Sequence, residues 1–217
     1  METQTLTPGQ RGIVVLSAFT ANGDLKRLDP ALHEGLDAGL AIGEIKEILI
    51  QLYAYAGFPR SLNAMQTFMA VLEDRRRKGI EDAQGREASP VPPDLDRDDY
   101  GARVRADLAG LEEVPEPSGA LAFAPVMDRF LKEHLFADIF ARDNLDYQTR
   151  ELATISALAA MTGTAGQLRF HLGAAMNTGL TEAQMQAFIA TLQDRVGAEE
   201  AEGASAVLGE VLGARAQ

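Results

Sequence analysis

LIQLYAYAGFPRSLNA, residues 49–64, predicts two helices joined by a tight corner. The first eight residues are almost all apolar or small, which is typical of a helix that is enclosed on most sides. Gly57 can adopt a positive φ and end this helix. Pro59 is well suited to the first turn of the next helix, where its missing N–H needs no partner. We therefore expect a helical corner that carries two tyrosine hydroxyls, those of Tyr53 and Tyr55.

Apolar residues recur at helical spacing through most of the chain. In the first half, the pattern predicts helices at 9–21, 24–39, 44–56 and 61–78. Residues 79–119 are rich in Asp, Gly and Pro, so they predict a connector with a short helix at 100–111. After the connector, the pattern predicts a helix and a further turn over 121–140, then helices at 147–161, 166–177 and 182–195. No segment alternates as a strand does, and we predict an all-α fold.

The two halves of the sequence resemble each other. The matching segments are Arg11 with Arg150, VLSAFTA (15–21) with TISALAA (154–160) and, after one gap, LDAGL (36–40) with MNTGL (176–180). An internal duplication explains this order and predicts pseudo-twofold packing of helix pairs. The expected organisation is a first repeat at 9–78, a connector at 79–119 and a second repeat at 120–214.

The composition argues against several classes of function. A formal net charge of −12 leaves no general cationic surface for phosphate groups, so we expect no nucleic-acid or membrane partner. The chain has no cysteine, which removes disulfides, thiolate catalysis and thiolate metal ligands. The segment METQTLTPGQ at 1–10 shows no export signal, and no run is long enough to span a membrane, so we expect a cytoplasmic protein.

Two segments resemble the carboxymuconolactone decarboxylase family, whose relatives include the alkyl hydroperoxidase D proteins. The first is EIKE at 44–47 with the corner at 49–64. The second is RELATISALAAMTGTAGQLRFHLGAAMNTGL at 150–180, where an Arg-Glu start leads, about twenty residues later, to a histidine on the next helix. His171 falls at that histidine position and Glu151 near the acidic position. The resemblance covers most of 9–78 and 121–195, and it implies the alkyl hydroperoxidase D-like helical fold.

The resemblance also bears on the chemistry. In the thiol peroxidase branch of the family, a Cys-x-x-Cys pair precedes the histidine. Here TGTAGQ at 162–167 has no thiol, so peroxide or disulfide chemistry by that mechanism is excluded. The decarboxylase branch implies a small anionic substrate, a γ-lactone bearing a carboxylate, and no metal or organic cofactor. The protein must then orient the carboxylate, stabilise the dienolate oxygen and protonate carbon.

The resemblance implies roles for six residues. His171 is the expected proton donor, Glu151 would orient either the imidazole or Arg150, and Tyr55 would donate to the oxyanion. Arg150 would hold a carboxylate in bidentate fashion. The expected substrate-binding residues are Arg150, Glu47 and Tyr53.

Each of these residues has a structural alternative. A histidine on an apolar helix is often a satisfied core residue, Arg150 and Glu151 at a helix start are often caps or surface charges, and Glu47 can simply face solvent. Tyr53 and Tyr55 point to different sides of their helix, so at most one of them faces a given pocket. No metal site is predicted, because His33 and Asp37 lack a third ligand.

Three functional hypotheses follow for the chain, and the absence of cysteine disfavours one of them, a redox protein of the peroxidase branch. The first is a cofactor-free lyase or isomerase that acts on a small carboxylated lactone or ring acid. The alternative is a non-catalytic helical scaffold that binds a small molecule or a partner. Because the histidine and the tyrosine corner lie in different halves, a shared site must form between the halves or across subunits. We also expect a homo-oligomer, a dimer or a trimer.

Overall fold

The computed structural model describes residues 5–216, and this part of the chain is all helical, which confirms the predicted fold class. Residues 1–4, which belong to the segment 1–10 that shows no export signal, lie outside the described residues. The helices are α1 (Pro8–Asn22), α2 (Leu25–Asp37), α3 (Ile42–Ala56), α4 (Phe58–Arg77), α5 (Arg97–Ala109), α6 (Ala120–Phe123), α7 (Pro125–Phe130), a π-helix (Leu131–Ile139), α8 (Tyr147–Ala159), α9 (Ala165–Asn177), α10 (Glu182–Arg195) and α11 (Ala198–Arg215). No helix within 5–216 is long and apolar enough to cross a membrane.

The corner at 49–64 joins α3 to α4 as its glycine and proline predict. Gly57 has φ of 85°, and its amide donates to the Tyr53 carbonyl at 2.9 Å, which ends α3. α4 begins at Phe58, three residues earlier than predicted, because Pro59 fits within the first helical turn. The Ser61 hydroxyl donates back to the Leu49 carbonyl and ties the two helices together.

The same arrangement of four helices occurs in each half of the molecule. α2, α3 and α4 start at 25, 42 and 58, and α9, α10 and α11 start at 165, 182 and 198, a constant difference of 140 residues. The packing also recurs. The contact between α1 and α2 corresponds to the contact between α8 and α9, and the contact between α8 and α3 corresponds to the contact between α1 and α10. One hydrophobic core contains side chains from both halves. The repeat boundaries at 9–78 and 120–214 stay a prediction.

The connector between the halves is more ordered than its composition indicates. Its first part lies across the start of α3, where the amides of Ile42 and Gly43 donate to the carbonyls of Ala83 and Gln84 at 2.9 and 2.8 Å. Its second part forms α5, which packs against the π-helix and α9. These elements form a second, smaller apolar cluster that includes the rings of Tyr53 and Tyr55. The connector therefore covers one side of the corner.

α11 is a helix that the sequence analysis did not predict. Its buried residues follow helical spacing and are Ala201, Ala204, Val207, Leu208 and Val211. Three glycines in the same stretch weaken its helical signal, because glycine is unfavourable in a helix interior. Packing against α9 and α10 outweighs this low propensity.

α5 and the π-helix approach each other closely at Gly101, and this contact is testable. A Cβ at Gly101 would overlap the Lys132 carbonyl, so Gly101→Ala should lower the free energy of unfolding by about 1–3 kcal/mol. Gly209→Ala is the matched control, because nothing lies within 4 Å of its added Cβ. The control should raise the free energy of unfolding by about 0.5–1 kcal/mol. Urea denaturation measures both, and equal changes in the two variants would contradict the close approach.

Candidate active site

The start of α8 places two charged residues in the interior of the molecule. Asp146 caps the helix, since its Oδ1 accepts from the Thr149 amide at 2.8 Å. Arg150 and Glu151 follow within the first two turns, and neither side chain is exposed to solvent. They are therefore neither caps nor surface charges. Adjacent positions on a helix point about 100° apart, so the two residues reach different surroundings.

Arg150 joins the second half of the chain to α3. Its Nη2 donates to Glu47 Oε1 at 3.0 Å and its Nη1 donates to Gln51 Oε1 at 2.9 Å. Glu47 also accepts from Arg142 Nε at 2.8 Å and from Asn144 Nδ2 at 3.1 Å. Glu47 is 1% exposed, so this network lies almost entirely away from water. It connects α3, α8 and the loop before α8.

These contacts do not fit the substrate-binding role predicted for Glu47 and Arg150. Both terminal nitrogens of Arg150 already donate within the protein, so only its Nε, which has no hydrogen-bond partner within residues 5–216, remains for a substrate carboxylate. Burial raises the pKa of Glu47, but hydrogen bonds from Arg142 and Arg150 outweigh burial and hold this pKa below its ordinary value. Glu47 therefore stays charged and serves as the internal partner of the two arginines.

Glu151 pairs with His171 on the other side of α8. Glu151 Oε2 lies 2.7 Å from His171 Nδ1, and His171 is only 5% exposed. A carboxylate on Nδ1 favours the tautomer with its proton there and leaves Nε2 for other partners. The structure thus brings together the acidic residue and the histidine that the resemblance singled out.

Tyr55 completes this cluster from the first half of the chain. Its ring packs edge-on against the His171 ring, with centroids 5.5 Å apart and an interplanar angle of 80°. The Tyr55 hydroxyl and Glu151 Oε1 are both buried, and neither has a hydrogen-bond partner within residues 5–216. Burial, and then the charge of Glu151, raises the pKa of Tyr55, so its hydroxyl keeps its proton. Beside His171, within residues 5–216, there are therefore an unpaired hydroxyl and an unpaired carboxylate oxygen, and Arg150 Nε on α8 is a further unpaired donor.

Thr154 is a polar neighbour of Tyr55, and its own hydroxyl is already used elsewhere. Thr154 Oγ1 donates to the Arg150 carbonyl at 2.9 Å and accepts from Gln51 Nε2 at 2.8 Å. Its proximity opposes the effect of burial on the pKa of Tyr55, but it makes no hydrogen bond of normal geometry with the Tyr55 hydroxyl. The phenol proton of Tyr55 therefore stays available to a ligand.

Tyr53 lies on a different side of α3. Its ring stacks on Phe58 with centroids 4.4 Å apart and lies 5.7 Å from the exposed His134. The two tyrosines therefore separate as the helical geometry predicts, and only Tyr55 contacts the Glu151–His171 pair. The substrate-binding role predicted for Tyr53 has no support from this placement.

Sequence reasoning missed three residues of the Glu47 network, namely Gln51, Arg142 and Asn144. A signal for Gln51 was present, because it lies four residues after Glu47 and four before Tyr55, on one face of α3. Arg142 and Asn144 lie in an irregular loop, where helical spacing gives no information. Their contact with Glu47 joins residues about 95 positions apart in sequence.

A comparison with known families agrees with this picture. Residues 125–210 match the model of the carboxymuconolactone decarboxylase family, which confirms the predicted resemblance for this part of the chain. The match includes Glu151 and His171 but neither Glu47 nor Tyr55. No curated protein matches the chain.

The buried pairing of Glu47 predicts a large effect on stability. Glu47→Gln keeps the shape of the side chain but leaves the Arg150 guanidinium without its counter-charge, so we expect the free energy of unfolding to fall by about 3–5 kcal/mol at pH 7. Glu87→Gln is the control, because Glu87 pairs with Lys46 on the surface and should give no measurable change. Urea denaturation measures both variants.

The same variant tests the pKa of Glu47. Because the pKa of Glu47 is lower in the folded chain, ionisation of Glu47 stabilises the fold. This stabilisation is complete at a pH above the ordinary pKa of 4.5 and is lost as the pH falls through the pKa of the folded chain. The stability difference between wild type and Glu47→Gln should therefore shrink at pH 3. A difference as large at pH 3 as at pH 7 would contradict the lowered pKa.

Proposed function

We propose that this chain, whose residues 125–210 match the carboxymuconolactone decarboxylase family, is an acid–base enzyme in which His171 moves a proton to or from carbon. The observation that supports this most directly is the buried Glu151–His171 pair beside the unpaired Tyr55 hydroxyl. The reaction that we propose is the decarboxylation of a small carboxylated lactone or ring acid. The protein would then be a carbon–carbon lyase that needs no cofactor.

Each group has a defined task in this reaction. When the C–C bond to the carboxylate breaks, CO2 leaves and its electron pair moves into the conjugated lactone carbonyl as a dienolate. The protonated Tyr55 hydroxyl donates to the developing oxyanion. His171 Nε2 then delivers a proton to carbon, and Glu151 stabilises the imidazolium that carries this proton. The electron pair returns to form the new C–H bond.

The charges around Tyr55 favour loss of the substrate carboxylate over its retention. The charges that act on Tyr55 come from Glu151 and Arg150, and Arg150 is already paired with Glu47. A substrate carboxylate in this site would lie near the Glu151 carboxylate in a medium that screens charge poorly. Departure of the carboxylate as neutral CO2 relieves this repulsion. Arg150 then acts by positioning α3 and α8, with no contact to the substrate.

A second candidate function is a non-catalytic scaffold that binds a small molecule. The low exposure of His171, 5%, favours it, because a substrate must displace neighbours to reach the ring. Phe170, which packs on His171 with centroids 5.0 Å apart, is the exposed neighbour best placed to move. Turnover separates this candidate from the enzyme.

The substrate assignment can be tested with carboxymuconolactone and its ultraviolet absorption band. We expect wild type to consume the band and His171→Ala to be slower by about 10²–10⁴-fold, the usual contribution of a general acid. His33→Ala, on α2 and outside the site, should match wild type. If wild type and His171→Ala both leave the band unchanged, this substrate assignment is wrong.

Tyr55→Phe separates catalysis from stability. The variant removes a buried hydroxyl that has no partner in the described part of the chain, so the free energy of unfolding should stay constant or rise. The rate should nevertheless fall by about 10²-fold, because an oxyanion donor is lost. Ser17→Ala removes another buried, unpaired hydroxyl, and it should leave the rate unchanged. Equal rates for Tyr55→Phe and Ser17→Ala would exclude Tyr55 from the reaction.

We also propose that the chain forms the predicted homo-oligomer through α4. Phe58, Leu62 and Met69 are 60%, 60% and 64% exposed. Together with Met65 they follow the alternating four-and-three spacing of helices that pair. Leu62→Glu should therefore lower the sedimentation mass, whereas Ala70→Glu, which adds the same charge on another face of α4, should leave it unchanged. A monomeric wild type would contradict this proposal.

A further inference from the structure

The recurrence of four helices gives the active site a counterpart elsewhere in the molecule. At this counterpart, α1 takes the position of α8, α2 takes that of α9, and α10 takes that of α3. The corresponding residues are Arg11 for Arg150, Gly12 for Glu151, Ala31 for His171, Ala187 for Glu47, Thr191 for Gln51 and Arg195 for Tyr55. The counterpart therefore lacks both members of the acid–base pair and keeps the arginine.

Two cavities lie at this counterpart, although Gly12 itself packs closely on α2, since a Cβ there would lie 3.3 Å from Gly35 Cα. A cavity of about 200 Å³ is lined by Gly12 and Ala31, the positions of Glu151 and His171. A second cavity of about 380 Å³ is lined by Ala187 and Thr191, the positions of Glu47 and Gln51. The two cavities share Arg11 and Arg195, and together we call them the counterpart groove.

The charges of the counterpart groove differ from those of the active site. Arg150 pairs with Glu47, but Ala187 gives Arg11 no carboxylate at the same position. Arg11 is exposed, unlike Arg150; it donates to the Leu6 carbonyl at 2.6 Å and forms no ion pair within residues 5–216. Arg195 pairs with Glu34, which lines the smaller cavity together with Arg11. Arg11 is therefore the guanidinium that lacks a counter-charge here.

We propose that the counterpart groove binds a small organic carboxylate, whose charged group pairs with Arg11 where Glu47 would stand. A guanidinium matches the two oxygens of a carboxylate in bidentate geometry. The methyl groups of Ala187 and Ala190 line the larger cavity and offer contact to an apolar ligand body. Asp194 and Glu34 also line the groove and oppose an anion, so they limit the affinity. This inference does not depend on the proposed enzyme activity.

Benzoate and its uncharged analogue benzamide are suitable probes for the full chain by calorimetry. We expect wild type to bind benzoate at least tenfold more tightly than benzamide, because only benzoate carries the charge. Arg11→Gln should remove this preference, and Asp194→Asn should strengthen benzoate binding. Equal binding of the two probes by wild type, or an unchanged preference in Arg11→Gln, would overturn the proposal.

Ala187→Glu gives the sharpest test, because it supplies the missing carboxylate from the chain itself. The variant should lose benzoate binding and should raise the melting temperature, since the introduced carboxylate pairs with Arg11. Gln186→Glu, an exposed neighbour on the same helix, adds an equal charge and should keep benzoate binding. If Ala187→Glu folds, as judged by circular dichroism, and still binds benzoate like wild type, the proposal is wrong.

The active site offers a second place where benzoate could bind, so the location needs its own control. His171→Gln changes the active site and leaves the counterpart groove intact. We expect this variant to retain wild-type benzoate affinity. Loss of binding in His171→Gln would place the probe at the active site and overturn the assignment to the groove. Failure of carboxymuconolactone turnover would leave these outcomes unchanged, so the two proposals are tested separately.

Discussion

The ion pair between Arg150 and Glu47 fixes the relation between the two halves of the chain. It joins α8 to α3 in the interior, where an unpaired charge is very unfavourable, so only arrangements that bring these groups together are stable. Replacing such a pair by apolar groups is often neutral for stability. The main physical consequence of the Arg150–Glu47 pair is therefore that it sets the register of α8 against α3. Glu151 follows Arg150 directly, so the same register presents Glu151 to α9. Tyr55 lies two turns after Glu47 and reaches the same place from α3. The geometry of the candidate site therefore depends on a contact that lies outside it.

Near-symmetry in the backbone and asymmetry in the side chains together leave one buried carboxylate–histidine pair within residues 5–216. The helices of the two halves start at equivalent positions and pack in equivalent pairs. At the equivalent places, however, Glu151 and His171 have Gly12 and Ala31 as counterparts. Glycine and alanine can support helix packing but cannot transfer protons. The backbone of a helical pair therefore specifies where a site can form, and a few side chains determine what it does.

The sequence predicts the helices well because their signals are local. The Gly-Phe-Pro corner, the Asp146 cap and the apolar periodicity of α8 each involve residues within one or two turns of each other. The partners of Arg150 are different, because Glu47 lies 103 residues away in sequence and no spacing rule connects them. This is why the sequence indicated a substrate carboxylate for Arg150, whereas the structure supplies an internal one. Close approaches are hidden in the same way, as the contact of Gly101 with the π-helix shows. The resemblance to a known family brought Glu151 and His171 to notice, since a lone histidine on an apolar helix carries no local signal of its own.

The unsatisfied atoms of the site bear on the choice between an enzyme and a scaffold. Most buried polar groups in folded proteins have a hydrogen-bond partner, and an unpaired one costs about 1–3 kcal/mol. Neither the Tyr55 hydroxyl nor Glu151 Oε1 has a partner within the described residues, 5–216, and both lie beside one histidine. A helical scaffold would gain stability from phenylalanine at position 55, because packing alone does not need the hydroxyl. A site that must donate to a transient oxyanion has the opposite requirement, since a donor already bound to the protein would have to break that bond before it could act. The unpaired donor, the closed surroundings and the oriented imidazole are therefore consistent with a reaction site in which the substrate supplies the missing hydrogen bonds.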